Sequence, residues 1–391
     1  MASEHRHEFP LQAGAPDRPT GPGPAPGPDP ATGSAQNRLR LQGRAYRALL
    51  TEQPVSLYAA SVLRIGFGLL YLLFLLREFP HRHEIWGPDA PWTPALAAQL
   101  FDQSGWYSLL VLSDSRTWFE LCYAAALVTC ALFALGWRTR ATAVLFAVMV
   151  ASFHARAIFM TDGGDNLILL MSLYLVLTAC GRRWSLDARR ARRRAAGPAG
   201  APERVKSFSA QQFHAARTTL VTVVHNCGMF VIAAQVCFLY GSAGLYKVQG
   251  SFWADGTALH YVLHLELFQP WPALSHFVDQ YPLAIAVISY LTVLTQVAFP
   301  FVLFGRLKYP VLVVLLGMHL GIAVLLGLPF FSGAMIIADA VFLPDRFYAA
   351  LPRLWRRTAQ RWGRRRNPQE EAQVGSVPAQ GRHELPSLSV R

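Results

Sequence analysis

Long apolar runs recur along this chain of 391 residues and constrain its fold more than any other feature. A helix needs roughly 20 residues to cross a hydrocarbon core about 30 Å thick. Only 15% of the residues are charged, whereas a typical soluble domain has about 25%. The runs therefore predict an all-α fold, a polytopic helical bundle embedded in a membrane. We expect eight membrane spans, at residues 57–77, 118–136, 140–160, 164–180, 219–241, 283–305, 309–328 and 332–349.

Basic residues are distributed unequally among the segments that connect these runs. Residues 181–218 contain ten Lys and Arg against two Asp and Glu, whereas residues 242–282 contain one basic and three acidic residues. Because Lys and Arg are enriched in cytoplasmic segments, eight spans with both termini in the cytoplasm place every basic segment on one side. This bias also explains the net charge of +13 without a nucleic-acid partner. The expected partner is the lipid bilayer, and the expected location is the cell membrane, as a multi-pass protein.

The two ends of the chain lack such runs. Residues 1–36 are rich in Pro and Gly, a composition that predicts a disordered cytosolic tail. Residues 37–52 are arginine-rich and predict a basic helix at the membrane interface. The predicted transmembrane domain covers residues 55–349, and residues 350–391 are predicted to form a second disordered tail, which is basic.

Polar residues inside the apolar runs are candidates for structural contacts or for a site, because a charge at mid-bilayer costs about 2.5–3.5 kcal/mol. Arg64 in the first run and Asp339 in the last are predicted to form a structural salt bridge. His225 and Gln296 are predicted to make hydrogen bonds between helices. His319 lies in a run that has no other strong polar group, so it is a candidate ligand or proton carrier.

A polar cluster joins the third run to the fourth. The sequence SFHARAIFMTDGGDN brings His154, Arg156, Asp162 and Asp165 within twelve residues. One of the two aspartates can cap the helix that begins near Asn166. The other, together with the histidine and the arginine, is a candidate for binding substrate. The five cysteines lack the close pairing of a metal site, and no metal is predicted.

The stretch AGLYKVQGSFWADGTALHY, residues 243–261, contains the sole basic residue of its predicted external loop, Lys247. This stretch resembles the segment that bears the catalytic lysine in vitamin K-dependent gamma-carboxylases. It is also similar to that segment in the related bacterial membrane proteins, known as horizontally transferred transmembrane domain proteins. The residues that carry the resemblance are Ala243, Gly244, Lys247, Trp253 and Gly256.

Four other parts of the chain resemble the same family. They are an Arg-x-Gly element in the first run, a GDN sequence, a WSLD sequence and a late histidine-containing run. These parts lie at Arg64 and Gly66, at 164–166, at 184–187 and at 319–332. The resemblance as a whole covers about residues 55–349.

The resemblance implies an enzyme in which Lys247 acts as a base toward a reduced naphthoquinone such as menaquinol. His319 is the second catalytic candidate. The substrate is then a quinol or a small exported peptide that reaches the outer face of the membrane. The candidate substrate-binding residues are Trp253, Asp255, His154, Arg156 and Asp165.

Two hypotheses follow for the function. In the carboxylases of eukaryotes a large extramembrane domain follows the helical part, whereas a basic tail follows it here, so we expect the quinone chemistry rather than glutamate carboxylation. The alternative is a non-catalytic membrane factor for assembly, transport, electron transfer or peptide export, similar to the small DoxX-type proteins, which share a Gly-x-x-Lys-like element. An enzyme needs Lys247 in a pocket open to lipid, near His154, Asp165 or His319. A lysine in external water without a pocket would contradict catalysis.

Overall fold

The computed structural model describes residues 51–196, 207–303 and 305–351. Within these ranges the protein is helical and contains no β-strand. The predicted tail at 1–36 lies outside the described residues. The predicted interfacial helix at 37–52 and the predicted tail at 350–391 also lie outside them, except for two residues at the edge of each.

Residues 51–196 form seven α-helices, connected by turns and short 3₁₀ segments. In chain order the helices are α1 (Leu57–Arg77), α2 (Arg82–Ile85), α3 (Pro94–Ser104), α4 (Arg116–Leu135), α5 (Thr139–Arg156), α6 (Gly163–Leu177) and α7 (Leu186–Ala195). Gly136, which ends α4 with a φ of 71°, has the left-handed conformation that glycine adopts readily at helix ends.

The described residues from 207 onward include seven more α-helices with both ends described, and residues 345–351 are also helical. The seven are α8 (Phe208–Val248), α9 (Ser251–Ala254), α10 (Ala258–Leu263), α11 (Pro272–Asp279), α12 (Pro282–Val302), α13 (Lys308–Leu325) and α14 (Pro329–Asp339). Proline occupies the start of α11, α12 and α14, where a backbone N–H would have no partner within the helix.

A helix occupies each of the eight predicted spans, and five of these helices are long and apolar enough to cross a membrane. The five are α1, α4, α8, α12 and α13. Helix α5 is less apolar because it includes Arg140, His154 and Arg156. Helix α6 has 15 residues and α14 has 11, so both are short for a span. The described part of the chain therefore has the all-α class and the apolar helices of a membrane protein.

Large apolar side chains cover the outer surface of the long helices. Leu121 of α4 is 61% exposed and Phe230 of α8 is 74% exposed. Leu294 of α12 and Val313 of α13 are exposed to a similar extent. Contiguous apolar surface on this scale is unusual for a soluble monomer, whereas helices that face lipid require it.

Helix α8 is longer than the apolar run that predicted it. Its 41 residues span roughly 60 Å at 1.5 Å per residue, and it continues seven residues beyond the predicted span 219–241. Lys247 therefore lies in the last turn of a helix. The prediction from the sequence, which places it in an external loop, is wrong on this point. Close packing against α12 supports this extension, since a Cβ atom at Gly244 would lie 2.8 Å from the backbone nitrogen of Val297.

The fully buried Arg64 binds backbone carbonyl groups at one end of the bundle. We call it and its partners the Arg64 centre; the carbonyl groups that accept from its guanidinium are those of Phe133, Ala134, Cys180 and Trp184. Two of them lie in the last turn of α4, where the helix dipole favours a cation. The predicted salt bridge with Asp339 is wrong, because the guanidinium donates to these carbonyls and Asp339 accepts from another residue.

Two further polar contacts hold the same end of the bundle together. His225 Nδ1 accepts a hydrogen bond from the N–H of Ala179 at 3.0 Å, and its Nε2 lies 2.7 Å from the carbonyl oxygen of Val55. Asp187 accepts from the N–H of Thr139 at 2.7 Å, at the start of α5. Burial opposes ionisation of Asp187, but hydrogen bonds from Thr139 and Arg138 outweigh it and lower the pKa of this carboxyl group.

Candidate functional site

Lys247 lies on the wall of an apolar cavity of about 640 Å³. We call this space the lysine cavity. Helices α8, α12, α13 and α14 form its walls, and α9 and α10 contribute one and two side chains. Its volume lies in the range of about 300–1,000 Å³ that holds small organic molecules. Residues that line it besides the lysine include Tyr240, Trp253, Leu259, Val262, Gln296, Met318, His319, Phe331 and Met335.

The register of α8 directs four of its side chains at the lysine cavity, and Leu239 is one of them. Tyr240, Ala243 and Lys247 all line it, and they follow the spacing i, i+3 and i+7 that places residues on one face of a helix. Trp253 lies beyond the end of α8, and its ring centroid is 5.3 Å from the Lys247 Nζ atom. An aromatic ring at this distance attracts a cation weakly and adds no hydrogen-bond acceptor of its own.

The amine of Lys247 has little polar contact. Its Nζ atom lies 3.5 Å from the carbonyl oxygen of Ala243, at the outer limit of a hydrogen bond. Within the part of the chain that the structure describes, no carboxylate forms an ion pair with this half-buried side chain. The amine is thus free to interact with a molecule in the cavity.

A chain of buried hydrogen bonds begins at His319 on the cavity wall. The Tyr240 hydroxyl donates to Asp339 Oδ2 at 2.9 Å, and His319 Nε2 lies 3.0 Å from the same hydroxyl oxygen. Since the tyrosine proton goes to the aspartate, the tyrosine oxygen accepts from Nε2. The tautomer that this requires leaves a lone pair on His319 Nδ1, which has no hydrogen-bond partner among the described residues.

Gln296 adds a second free acceptor to the lysine cavity. Its Nε2 atom lies 3.7 Å from the sulfur of Met318, and its Oε1 atom is buried without a hydrogen-bond partner in the described part of the chain. Buried polar atoms are nearly always hydrogen-bonded in folded proteins. His319 and Gln296, each with a buried acceptor that has no partner among the described residues, line the same otherwise apolar cavity as the unpaired amine. This combination is typical of a small-molecule site.

His154 and Asp165 lie in a different and smaller space, a cleft of about 270 Å³. We call it the histidine cleft. Its side chains are more polar and include Arg77, Glu78 and Asp162. Leu328 and Phe331 line both spaces, so these two residues form the partition between them.

Three of the predicted substrate-binding residues are placed otherwise than the sequence suggested. Asp165 completes a capping box with Asp162 at the start of α6, so both aspartates of the cluster cap the helix. Arg156 is buried outside the histidine cleft and donates to the carbonyl of Gly87 at 2.8 Å. Asp255 is exposed and lies outside the lysine cavity. It follows Trp253 by two residues, and side chains two residues apart in a helical turn point to opposite sides.

The structure brings together Lys247, Trp253 and His319 of the predicted site and adds Tyr240 and Gln296 to them. The sequence prediction missed the tyrosine, although its position seven residues before the lysine indicates the same helix face. It assigned Gln296 to a structural role, because an isolated glutamine in an apolar run gives no sign of a cavity.

Comparisons with models of protein families, with curated proteins and with solved structures find no match to this chain. The family resemblance of residues 243–261 therefore remains an expectation from the sequence. What the site can do is inferred from its own residues and their geometry.

Proposed function

We propose that this chain is a multi-pass protein of the cell membrane that binds a reduced naphthoquinone such as menaquinol in the lysine cavity and deprotonates it with Lys247. The observation that carries this proposal is the free amine on the wall of an apolar cavity beside His319. A quinol ring and its isoprenoid tail are hydrophobic and reach such a cavity through the bilayer. Its two hydroxyl groups need polar partners, which this cavity offers.

Lysine fits the role of the base on chemical grounds. The amine must be neutral to accept a proton, and apolar surroundings favour the neutral amine over the ammonium ion. Lys247 would take the proton of one quinol hydroxyl group and leave a quinolate anion. Loss of the second proton and transfer of two electrons to dioxygen, the co-reactant, would then give the quinone, and the reduced dioxygen would take up two protons to form hydrogen peroxide. The face of Trp253 beside the amine would stabilise the ammonium ion that the first proton transfer produces.

His319 supports the second half of the same chemistry. Its free Nδ1 atom can accept the proton of the other quinol hydroxyl group, while its Nε2 atom donates to Tyr240. The carboxylate of Asp339 at the end of this chain favours the imidazolium ion that would form. In many enzymes a carboxylate orients a histidine base directly. Here Asp339 would orient His319 through the hydroxyl group of Tyr240.

The direction of α8 supports a site on the outer side of the membrane. His225 contacts Val55, just before α1 begins, and Lys247 follows 22 residues later on the same helix. This spacing corresponds to about 33 Å, close to the thickness of the hydrocarbon core. The arginine-rich α7 lies at the end of α1 that holds the Arg64 centre, so the positive-inside rule assigns that end to the cytoplasm.

The test is dioxygen-dependent oxidation of menaquinol by the purified protein in detergent. Lys308 is a matched control, because it is the other described lysine and does not line the lysine cavity. We expect Lys247→Ala to lower the rate by about 100-fold, the contribution typical of a general base, while Lys308→Ala keeps the wild-type rate.

Equal rates above background for the wild type and for Lys247→Ala would exclude the lysine as the base. No turnover by either protein would exclude the enzyme and favour the alternative of a non-catalytic membrane factor. A small exported peptide as the substrate would be indicated by quinol oxidation that proceeds only when peptide is added.

A further inference from the structure

Three side chains suited to a metal ion meet beside the lysine cavity, in the short helices that follow α8. His260 lies in α10, His264 directly follows that helix, and Asp279 is the last residue of α11. One ligand atom from each lies within 4.8 Å of the other two. We propose that these three residues form a zinc site that links α10 to α11, a proposal independent of the quinol chemistry.

The distances suit a tetrahedral ion after small side-chain rotations. His260 Nδ1 lies 2.6 Å from Asp279 Oδ1, and His264 Nε2 lies 3.7 Å from Asp279 Oδ2. Zinc binds imidazole nitrogen and carboxylate oxygen at about 2.0–2.2 Å, which separates neighbouring ligand atoms by roughly 3.3 Å. The two observed distances lie on either side of this value, within about 0.7 Å of it.

A backbone contact already orients one of the histidines for metal binding. His264 Nδ1 lies 2.8 Å from the carbonyl oxygen of His260, and a carbonyl can only accept, so this nitrogen carries the proton. In the neutral imidazole, the form that binds a metal, the lone pair is then on Nε2, the atom that faces Asp279. Ligand histidines in metal proteins commonly donate their other N–H to a carbonyl in this way, which fixes the tautomer and the ring orientation.

The ligand set selects the class of metal. Two imidazoles and one carboxylate suit zinc, whereas calcium and magnesium prefer oxygen ligands. A fourth position remains for water or for His276 of α11, whose ring centroid is 5.8 Å from that of His264. The sequence prediction of no metal rested on cysteine spacing, which has no bearing on a site made of histidine and aspartate.

The site lies on the helix that covers the lysine cavity. Leu259 and Val262 of α10 line that cavity, while His260 of the same helix points to Asp279. The histidine side chains are 45% and 42% exposed, so an ion from the surrounding water can reach them. Bound zinc would fix α10 to α11 and thereby hold the two cavity-lining side chains in place.

The experiment measures zinc bound to the full-length protein, prepared without a histidine tag, by equilibrium dialysis and elemental analysis. The variants are His260→Ala, His264→Ala and Asp279→Asn. His81→Ala is the matched control, because His81 also lies near a carboxylate, 3.3 Å from Glu84, but belongs to no group of three ligands among the described residues. An excess of magnesium and calcium is present throughout.

We expect the wild type and His81→Ala to bind one zinc ion more than each of the three site variants. Removal of a ligand should weaken binding by more than about 100-fold, since altering a residue that only orients a ligand already costs about 10–100-fold. Cobalt(II) added to the wild type should give the visible absorption of a tetrahedral complex, which requires no variant to fold. Zinc binding that all three variants keep, or a wild type without this absorption, would overturn the proposal.

Discussion

The Arg64 centre and the lysine cavity each contain a basic side chain within the helical part of the chain, but the surroundings of the two side chains differ. The Arg64 guanidinium donates to four carbonyl groups and is fully buried. The Lys247 amine has one weak contact, at 3.5 Å, and faces an apolar cavity. Satisfied hydrogen bonds therefore indicate a structural role for Arg64, whereas the amine of Lys247 is available to a ligand.

Both basic groups lie near a helix end, but their surroundings have different origins. At the Arg64 centre, α4 ends in the glycine turn at Gly136, which exposes the carbonyl groups that the arginine binds. A Cβ atom at Gly136 would lie 2.7 Å from Arg64 Nη1, so backbone and side chain fit closely there. At the lysine cavity, α8 ends beside an open space that side chains leave unfilled.

The largest effect on stability should come from Arg64→Met. The substitution keeps most of the aliphatic side chain but removes every donor from four carbonyl groups, so we expect a loss of roughly 3 kcal/mol or more. Thermal unfolding of the detergent-purified protein measures it, with the exposed Arg116→Met as the control. If the two variants unfolded at the same temperature, the arginine would not be the structural cation of this comparison.

At the lysine cavity, Tyr240→Phe should have the next largest effect, which is a lower rate of menaquinol oxidation. It removes one hydroxyl group, which breaks the contacts to His319 and Asp339 together. We expect menaquinol oxidation to fall by about 10-fold, or roughly 1.4 kcal/mol in the barrier, because the histidine loses its orientation. The exposed Tyr246 on the same helix is the control, and Tyr246→Phe should retain the wild-type rate.

If Tyr240→Phe had the same rate as Tyr246→Phe, His319 would act without its hydrogen bonds through Tyr240 to Asp339. The substitution also leaves Asp339 without its donor, so a loss of stability accompanies it. Rates are therefore compared below the unfolding temperature of each variant, where the folded fraction is the same.

The smallest effect should come from Asp187→Asn, beside the Arg64 centre. The carboxylate accepts from the first N–H groups of α5, and loss of such a contact costs about 1 kcal/mol. Because the pKa of Asp187 is lowered in the folded protein, its contribution is complete above the unfolded pKa of about 3.9. This contribution to stability is lost as the pH falls through the pKa that Asp187 has in the folded protein.

Unfolding temperatures of the wild type and Asp187→Asn should therefore differ near pH 7 and approach each other below about pH 4. Asp89→Asn is the control, because its ion pair with Arg116 is exposed and such pairs contribute little. A difference that persists unchanged at low pH would assign the effect to packing and not to the charge.

The positions of the helices could be predicted from the sequence, because each apolar run must satisfy its backbone groups internally in a membrane. The length of α8 could not, since its continuation through Gly244 depends on contact with α12. Of the three neighbours expected for Lys247, His319 lines the same cavity, whereas His154 and Asp165 line the histidine cleft. Which of several polar residues share a cavity depends on how distant helices pack, and one sequence does not contain that information.

A quinone that occupies the cavity in front of the Lys247 amine should shield this amine from reagents, and chemical modification tests this within a single unaltered protein. An amine-reactive reagent is added with and without menaquinone, and the extent of modification at Lys247 and Lys308 is read by peptide mass analysis. We predict that menaquinone protects Lys247 strongly and leaves Lys308, which lies outside the cavity, unchanged. Equal modification of Lys247 with and without menaquinone would contradict the account.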